Sequence, residues 1–417
     1  MIKDNLNDLA TFGGQPAFGE KLHVGRPNIG DRDQLMQRLN DILDTRWLSN
    51  MGPYEKEFER SICDLTGVRN CIAMCNATVA LEIAIRACNL TGEVIIPSFT
   101  FIATAHALRW QKINPVFCDL DPETHNLDPT KIEELITDKT TGIIPVHLWG
   151  RACDTEAIEE IARRHNLQVV YDAAHALGCS SKGKMIGGFG RAEVFSFHPT
   201  KFINSFEGGA IVTDDDDLAE KMRLMKNFGF AGIDQISYIG TNGKMSEASA
   251  AMGLTSLESM DRFVATNRDN YQEYRDRLTS IPGLRQASYD EREKCNYQYI
   301  VVEVEEAITG INRDELIQVL WAENVLARRY FYPGCHRSEP YRSDFLQGGP
   351  LLPETDKIAG RVMTLPTGTA VGRTEIEKIC QIIDFTVRQG KEIHERLVGG
   401  PQQESSPRTP TVALPSV

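Results

Sequence analysis

Between about Cys71 and Thr213 the chain alternates short apolar runs with amphipathic stretches. The runs are CIAMC (71–75), EVIIP (93–97), PVFCD (115–119), GIIPVH (142–147), QVVYD (168–172), EVFSF (193–197) and GAIVT (209–213). They are rich in Val and Ile and mostly apolar on both faces, which predicts sheet strands covered by helices on each side. TVALEIAIRACNL (78–90) and DTEAIEEIARRHN (154–166) carry apolar residues at three- and four-residue spacing and predict helices between strands. Alternating β and α segments imply an α/β fold with an open, mainly parallel sheet, whose ligands bind at the carboxyl ends of its strands.

After Thr213 the run DDDD (214–217) is placed to cap a helix, although a solvated charged turn reads equally well. A long helical stretch from about Ser246 to Ser280 leads into a second region, predicted to be α+β. It holds a strand at 297–304, a helix at 312–324 and a last helix from Thr374 to about Leu397. The expected division is an N-terminal arm plus a large α/β domain at 1–255, a smaller C-terminal α+β domain at 256–397, and a Pro-, Ser- and Gln-rich tail at 398–417 expected to be disordered.

Composition adds mostly exclusions. Hydrophobic residues make up 41% and charged residues 25%, as in globular enzymes. A net charge of −13 argues against nucleic acid as a partner. A small phosphorylated ligand remains compatible, because one pocket can oppose the overall sign. The ten cysteines form no CxxC pair and several sit in apolar strands, which suits buried thiols in a reducing cytoplasm and no metal site. No apolar segment is long enough to span a bilayer, and no secretory signal is expected.

The chemistry gathers at the strand ends. FSFHPTKFINSFEGG (195–209) begins as a buried strand and then brings Lys201 into a glycine-rich turn. QVVYD ends on Asp172, a costly place for a carboxylate without a cation. Asn76-Ala77-Thr78 opens a helix whose free N–H groups suit one phosphate. Taken singly, these are an exposed lysine, a surface ion pair or helix cap, and an ordinary N-cap. Taken together they match what pyridoxal phosphate requires: a lysine for a Schiff base, an acid for the ring nitrogen, and a helix terminus for the phosphate.

The segments NATVALEIAI, IIPSFTFIATAHAL, FCDLDPETHNLDP, VVYDAAHALG, FSFHPTKFINSFEGG, GTNGKMSEASAAMGL and FYPGCH occur in the order found in the DegT/DnrJ/EryC1/StrS sugar aminotransferases, which the chain resembles from about Gly25 to Arg396. The resemblance implies a fold-type-I pyridoxal-phosphate transferase with a seven-stranded sheet. It implies that Lys201 forms the Schiff base, Asp172 pairs with the pyridine nitrogen, Phe101 stacks on the ring, and His175 stands near the ring hydroxyl. Ala77, Thr78 and Ser196 would contact the phosphate, together with Asn242 from a neighbouring subunit, so that the active unit is a homodimer with shared sites. Lys244 stands where the family commonly has arginine and is the candidate for the donor's carboxylate. Tyr332 and His336 are candidates for the substrate mouth, and Arg26, Lys244, Arg328, Arg329 and Arg337 for the nucleotide diphosphate, each reading equally well as an exposed surface charge. Phe206 replaces the glycine of the family's frequent TGEGG.

The implied activity is transfer of an amino group from glutamate to a nucleotide-linked keto-deoxysugar, at C4 of a dTDP-4-keto-6-deoxyhexose. A 3-keto-sugar aminotransferase and a non-catalytic pyridoxal-phosphate-binding regulator are the alternatives. The nucleotide, the stereochemistry of amination and the pathway are not legible in the chain.

Overall fold

The computed structural model describes residues 3–345 and 348–399; most of the tail expected to be disordered lies outside them. Seven strands form the main sheet: β1 (Asn70–Met74), β2 (Glu93–Pro97), β3 (Asn114–Cys118), β4 (Thr140–Ile143), β5 (Gln168–Asp172), β6 (Ala192–Ser196) and β7 (Gly209–Thr213). Their order is β1-β7-β6-β5-β4-β2-β3, and β7 alone runs antiparallel to its neighbours. Alternate residues of a strand go to opposite faces. Ile72 and Met74 of β1 join one apolar cluster while Cys71 and Ala73 join another, and Val194 and Phe195 of β6 divide in the same way. Both faces are therefore buried, which is why these runs lack polar alternation.

α1 (Arg32–Thr45) packs its Leu35 and Ile42 on Ala251 and Met252, and the helices that cover the sheet include α2 (Pro53–Thr66), α3 (Ala77–Ala87), α4 (Ala103–Arg109), α5 (Thr155–His165) and α6 (Asp216–Met225). Asp215, inside the acidic run, is the N-cap of α6 and accepts from Leu218 N–H at 2.9 Å. The long helical stretch is two helices, α7 (Glu247–Glu258) and α8 (Met260–Leu278), because Ser259 leaves helical geometry between them.

A second core surrounds the antiparallel strands β8 (Leu284–Gln286), β9 (Ile300–Val304) and β10 (Val362–Leu365), with α8, α9 (Arg313–Ala322) and α11 (Arg373–Arg388) against them; α10 (Pro353–Arg361) precedes β10. The N-terminal arm departs from the expected division. Leu6, Leu9, Phe18 and Leu22 pack into this second core rather than against the large sheet. The buried Glu323 carboxylate fixes them there, accepting from Ala10 and Ala17 N–H at 2.7 Å each and pairing with Lys3 at 3.0 Å. Leu22–His23 then pairs in parallel with Val325–Leu326.

Candidate active site

β6 and β7 are antiparallel neighbours, so residues 197–208 must reverse the chain at the carboxyl end of β6. That reversal places Lys201. Its N–H donates to His198 O at 2.8 Å, closing a turn, and Phe197 and Ser205 bond each other's side of the loop through Gly208 O and Phe197 O. From outside, Gly25 leans on Thr200, where a Cβ would come within 2.9 Å of the threonine Cβ. The buried Asn28 donates to Phe202 O at 3.1 Å and accepts from Thr369 Oγ1 at 2.8 Å, tying the lysine loop to the second core. Lys201 Nζ donates to Tyr299 Oη at 3.0 Å. Burial pushes the amine down to about 8, against the opposing fields of Tyr330 and Asp172.

Asp172 ends β5 opposite Val194 of β6, so it emerges at the same sheet end as the lysine loop. Its Oδ2 accepts from Thr104 Oγ1 at 2.8 Å and its Oδ1 from Ala174 N–H at 3.1 Å. Burial raises its pKa, while Thr104, Ala174 and Lys201 work in the other direction. His175, three residues on, is buried with its ring 4.7 Å from that of Tyr299. Its Nδ1 accepts from Trp149 N–H at 3.2 Å, leaving the proton of the neutral ring on Nε2. Burial and the nearby lysine keep it well below the usual histidine range.

Asn76 caps α3 by accepting from Val79 N–H at 2.9 Å, so Ala77 and Thr78 present first-turn N–H groups ahead of the helix's own carbonyls. β7 begins against this turn: a Cβ on Gly209 would sit 2.6 Å from Ala77 N. Ser196 lies at the end of β6, in register with Gly209. Phe101 follows β2 and is 58% exposed, with a flat apolar ring available for stacking. Phe206 holds φ of 61°, the left-handed region that a glycine would occupy without strain. Asn242 is exposed, although its backbone carbonyl is 3.9 Å from Cys75 Sγ of its own chain. Lys244 bridges to Met74 and rests its Nζ 4.3 Å over the Phe228 ring.

The mouth residues divide. Tyr332 is half-exposed between Arg313 and Arg329, whose guanidinium carbons lie 5.2 and 4.9 Å from its ring centroid. His336 is not at the mouth. It is 2% exposed, with Nδ1 bonded to Ser98 Oγ at 2.6 Å and Nε2 facing Asp356 at 3.1 Å, so both nitrogens are spent on holding the 333–338 turn to β2 and α10. Arg337 pairs with the same Asp356 and Arg329 with Asp314, whereas the Arg328 guanidinium lies 5.3 Å from the Tyr330 ring centroid. Sequence reasoning missed Thr104, Trp149 and Tyr299. Thr104 had a signal, standing one helical turn after Phe101. Tyr299 had none, being 98 residues from the lysine it meets.

A lysine amine made less basic by burial, a buried carboxylate at the same sheet end, and a helix terminus kept clear by a missing Cβ fit pyridoxal phosphate in three separate respects. Known proteins agree. The dTDP-4-amino-4,6-dideoxy-D-glucose transaminase of Shigella dysenteriae is 38% identical over 87% of this chain and 98% of its own. The GDP-perosamine synthase of Caulobacter vibrioides is 34% identical over 87% and 98%. The crystal structure of DesI in the presence of its TDP-sugar product superimposes with a TM-score of 0.91 at 49% identity, covering 94% of this chain and all of that one. With the family's sequence model matching residues 30–384, the chain belongs to the DegT/DnrJ/EryC1/StrS aminotransferase family and is a pyridoxal-phosphate-dependent transaminase.

Proposed function

We propose that this transaminase moves the amino group of glutamate to C4 of a dTDP-linked 4-keto-6-deoxyhexose, as a cytoplasmic homodimer with shared sites. The observation that carries the chemistry is the convergence of the Lys201 amine and the Asp172 carboxylate at one sheet end. The choice of sugar draws on the relatives, one named as a dTDP-4-amino-4,6-dideoxy-D-glucose transaminase and another crystallised with its TDP-sugar product. Ten free thiols suit a reducing compartment.

When bound, pyridoxal phosphate supplies an aldehyde for amines and a ring that takes up the electrons of a broken C–H bond. The chain's residues supply the rest. Asp172 holds a proton on the ring nitrogen by offering it a buried negative charge, and Thr104 keeps that carboxylate oriented. Lys201 Nζ takes the α-proton of glutamate and later returns a proton to carbon, a task suited to an amine near neutrality. Neutral His175 offers its Nε2–H toward the ring hydroxyl, and Phe101 covers a ring face. Ala77, Thr78 and Ser196 hold the phosphate, with Asn242 contributed across the dimer. Lys244 meets the donor carboxylate as a point charge rather than a fork, and Tyr332 lines the sugar's entrance.

The test is to add glutamate to purified protein and follow the cofactor absorbance, then to supply 3-keto and 4-keto sugars linked to dTDP or GDP. Bleaching by glutamate and a 4-amino dTDP-sugar, read from product mass and proton couplings, are expected. Bleaching with turnover of only 3-keto sugars would overturn the C4 assignment, and no bleaching at all would indicate a protein that binds the cofactor without turnover.

A further inference from the structure

A lysine freed from the cofactor has a four-carbon stem and an amine to place, and an unanchored stem samples many rotamers. One neighbour restricts it here. Tyr299 stands directly before β9, in the second core, and its hydroxyl oxygen accepts from Lys201 Nζ at 3.0 Å. The phenol ring is itself immobilised. Trp149 meets it edge-on at 5.3 Å, His175 lies at 4.7 Å and Tyr330 at 6.4 Å, and its backbone carbonyl accepts from Tyr289 Oη at 3.3 Å. Only 5% of the residue is exposed, so water does not compete for that hydroxyl.

Tyr330 and Asp172 favour the ammonium through their fields, but among the described residues only Tyr299 is hydrogen-bonded to the amine. Asp172 is held by Thr104 and Ala174, His175 Nδ1 by Trp149, and His198 Nδ1 by Thr200 at 2.8 Å. The Tyr330 ring lies under Arg328. We propose that Tyr299 is a positioning residue for Lys201, its hydroxyl docking the amine during the part of the cycle when that amine is not joined to the cofactor. The ammonium that forms when Nζ takes up a proton then has an acceptor in a dry site, and the stem is held to one position until the proton is given up. Burial keeps the phenol pKa above its ordinary value, so the hydroxyl stays neutral and binds without trapping the proton. The inference rests on the reading of Lys201 as proton carrier given above.

The test uses full-length protein freed of cofactor. Pyridoxal phosphate is added across a pH series and its capture is followed by absorbance, since only the neutral amine condenses with an aldehyde. The wild-type rate is expected to rise to half its maximum near pH 8, where Lys201 titrates. Tyr299→Phe removes an acceptor that favours the ammonium, so the midpoint falls by about one pH unit, the shift one charge-assisted hydrogen bond supports. The glutamate half-reaction slows by about 10-fold with KM little changed. Should Tyr299→Phe fail to fold, 3-fluorotyrosine at 299 keeps the ring, weakens the oxygen as an acceptor and moves the midpoint the same way. A wild-type protein that captures no cofactor overturns the functional reading and this inference together. Normal wild-type capture with an unmoved midpoint in the variant overturns only the role given to Tyr299.

Discussion

Asp172 carries a charge that burial opposes, and what keeps it charged is a short set of donors. Thr104 is the one side chain among them, with its hydroxyl 2.8 Å from Oδ2 and its own oxygen 3.1 Å from that of Thr100. Thr104→Val keeps the shape and deletes the donor. A hydrogen bond to a charged group contributes about 1.5–3 kcal/mol, so the Asp172 pKa, already raised, climbs by a further ~1 unit. A higher carboxyl pKa moves the acidic limb of the glutamate half-reaction to higher pH, which a pH–rate profile reads directly. His175 makes a second prediction with the opposite chemistry. Its folded pKa lies well below 6.5, so it is neutral when folded and protonated when unfolded at mildly acid pH. Its contribution is present above the unfolded pKa and is lost as pH falls below about 6.5, at up to ~1.4 kcal/mol per pH unit. His175→Gln cannot protonate and should flatten that part of the stability profile, measured as urea midpoints of the cofactor-free chain between pH 7 and pH 5.

The start of β7 against α3 shows how two elements make one binding surface. Gly209 stands where any side chain would meet the backbone of Asn76 and Ala77, within 2.6–2.8 Å. Gly209→Ala therefore pushes β7 away from the phosphate-facing turn. The expected result is at least ~10-fold weaker cofactor affinity by equilibrium dialysis, with ~1–3 kcal/mol lost to the strain of overpacking. The double glycine was visible in the sequence, but its reason lay in a contact across the sheet. Other elements divide along the same line. QVVYD and GAIVT were legible to the residue, because burial on both faces leaves a continuous apolar run. GIIPVH is a continuous strand only to Ile143; beyond it Pro145 has no N–H for the ladder, although its carbonyl accepts from Asp172 N–H and Val146 still pairs with Asp172 as a single bridge. His336 was illegible as a packing residue, because Ser98 is 238 positions away and nothing in FYPGCH distinguishes a histidine facing solvent from one facing β2.

At the scale of the whole molecule, Trp47, Leu48 and Met51 before α2 are exposed, as are Phe230, Ile236 and Ile239 after α6. The two stretches meet, since Met51 and Phe230 line one cleft of about 260 Å³. A surface this apolar suits a partner, and a second copy that also delivered Asn242 would give the exposed asparagine a task. The geometry within one chain poses the alternative directly, because the Asn242 backbone already touches Cys75, next to the residue that caps α3. Mixing two inactive proteins separates the two. Lys201→Ala lacks its amine and Asn242→Ala lacks its amide, and each is expected to be nearly silent alone. If Asn242 serves the partner's site, a hybrid dimer has one site with both groups intact, built on the lysine of the Asn242→Ala chain. Random re-association makes hybrids of half the dimers, each with one working site of two, so about a quarter of wild-type activity returns. If Asn242 serves its own chain, every site in the hybrid lacks one group and no activity returns. Dissociation and remixing followed by a glutamate half-reaction assay reads the difference.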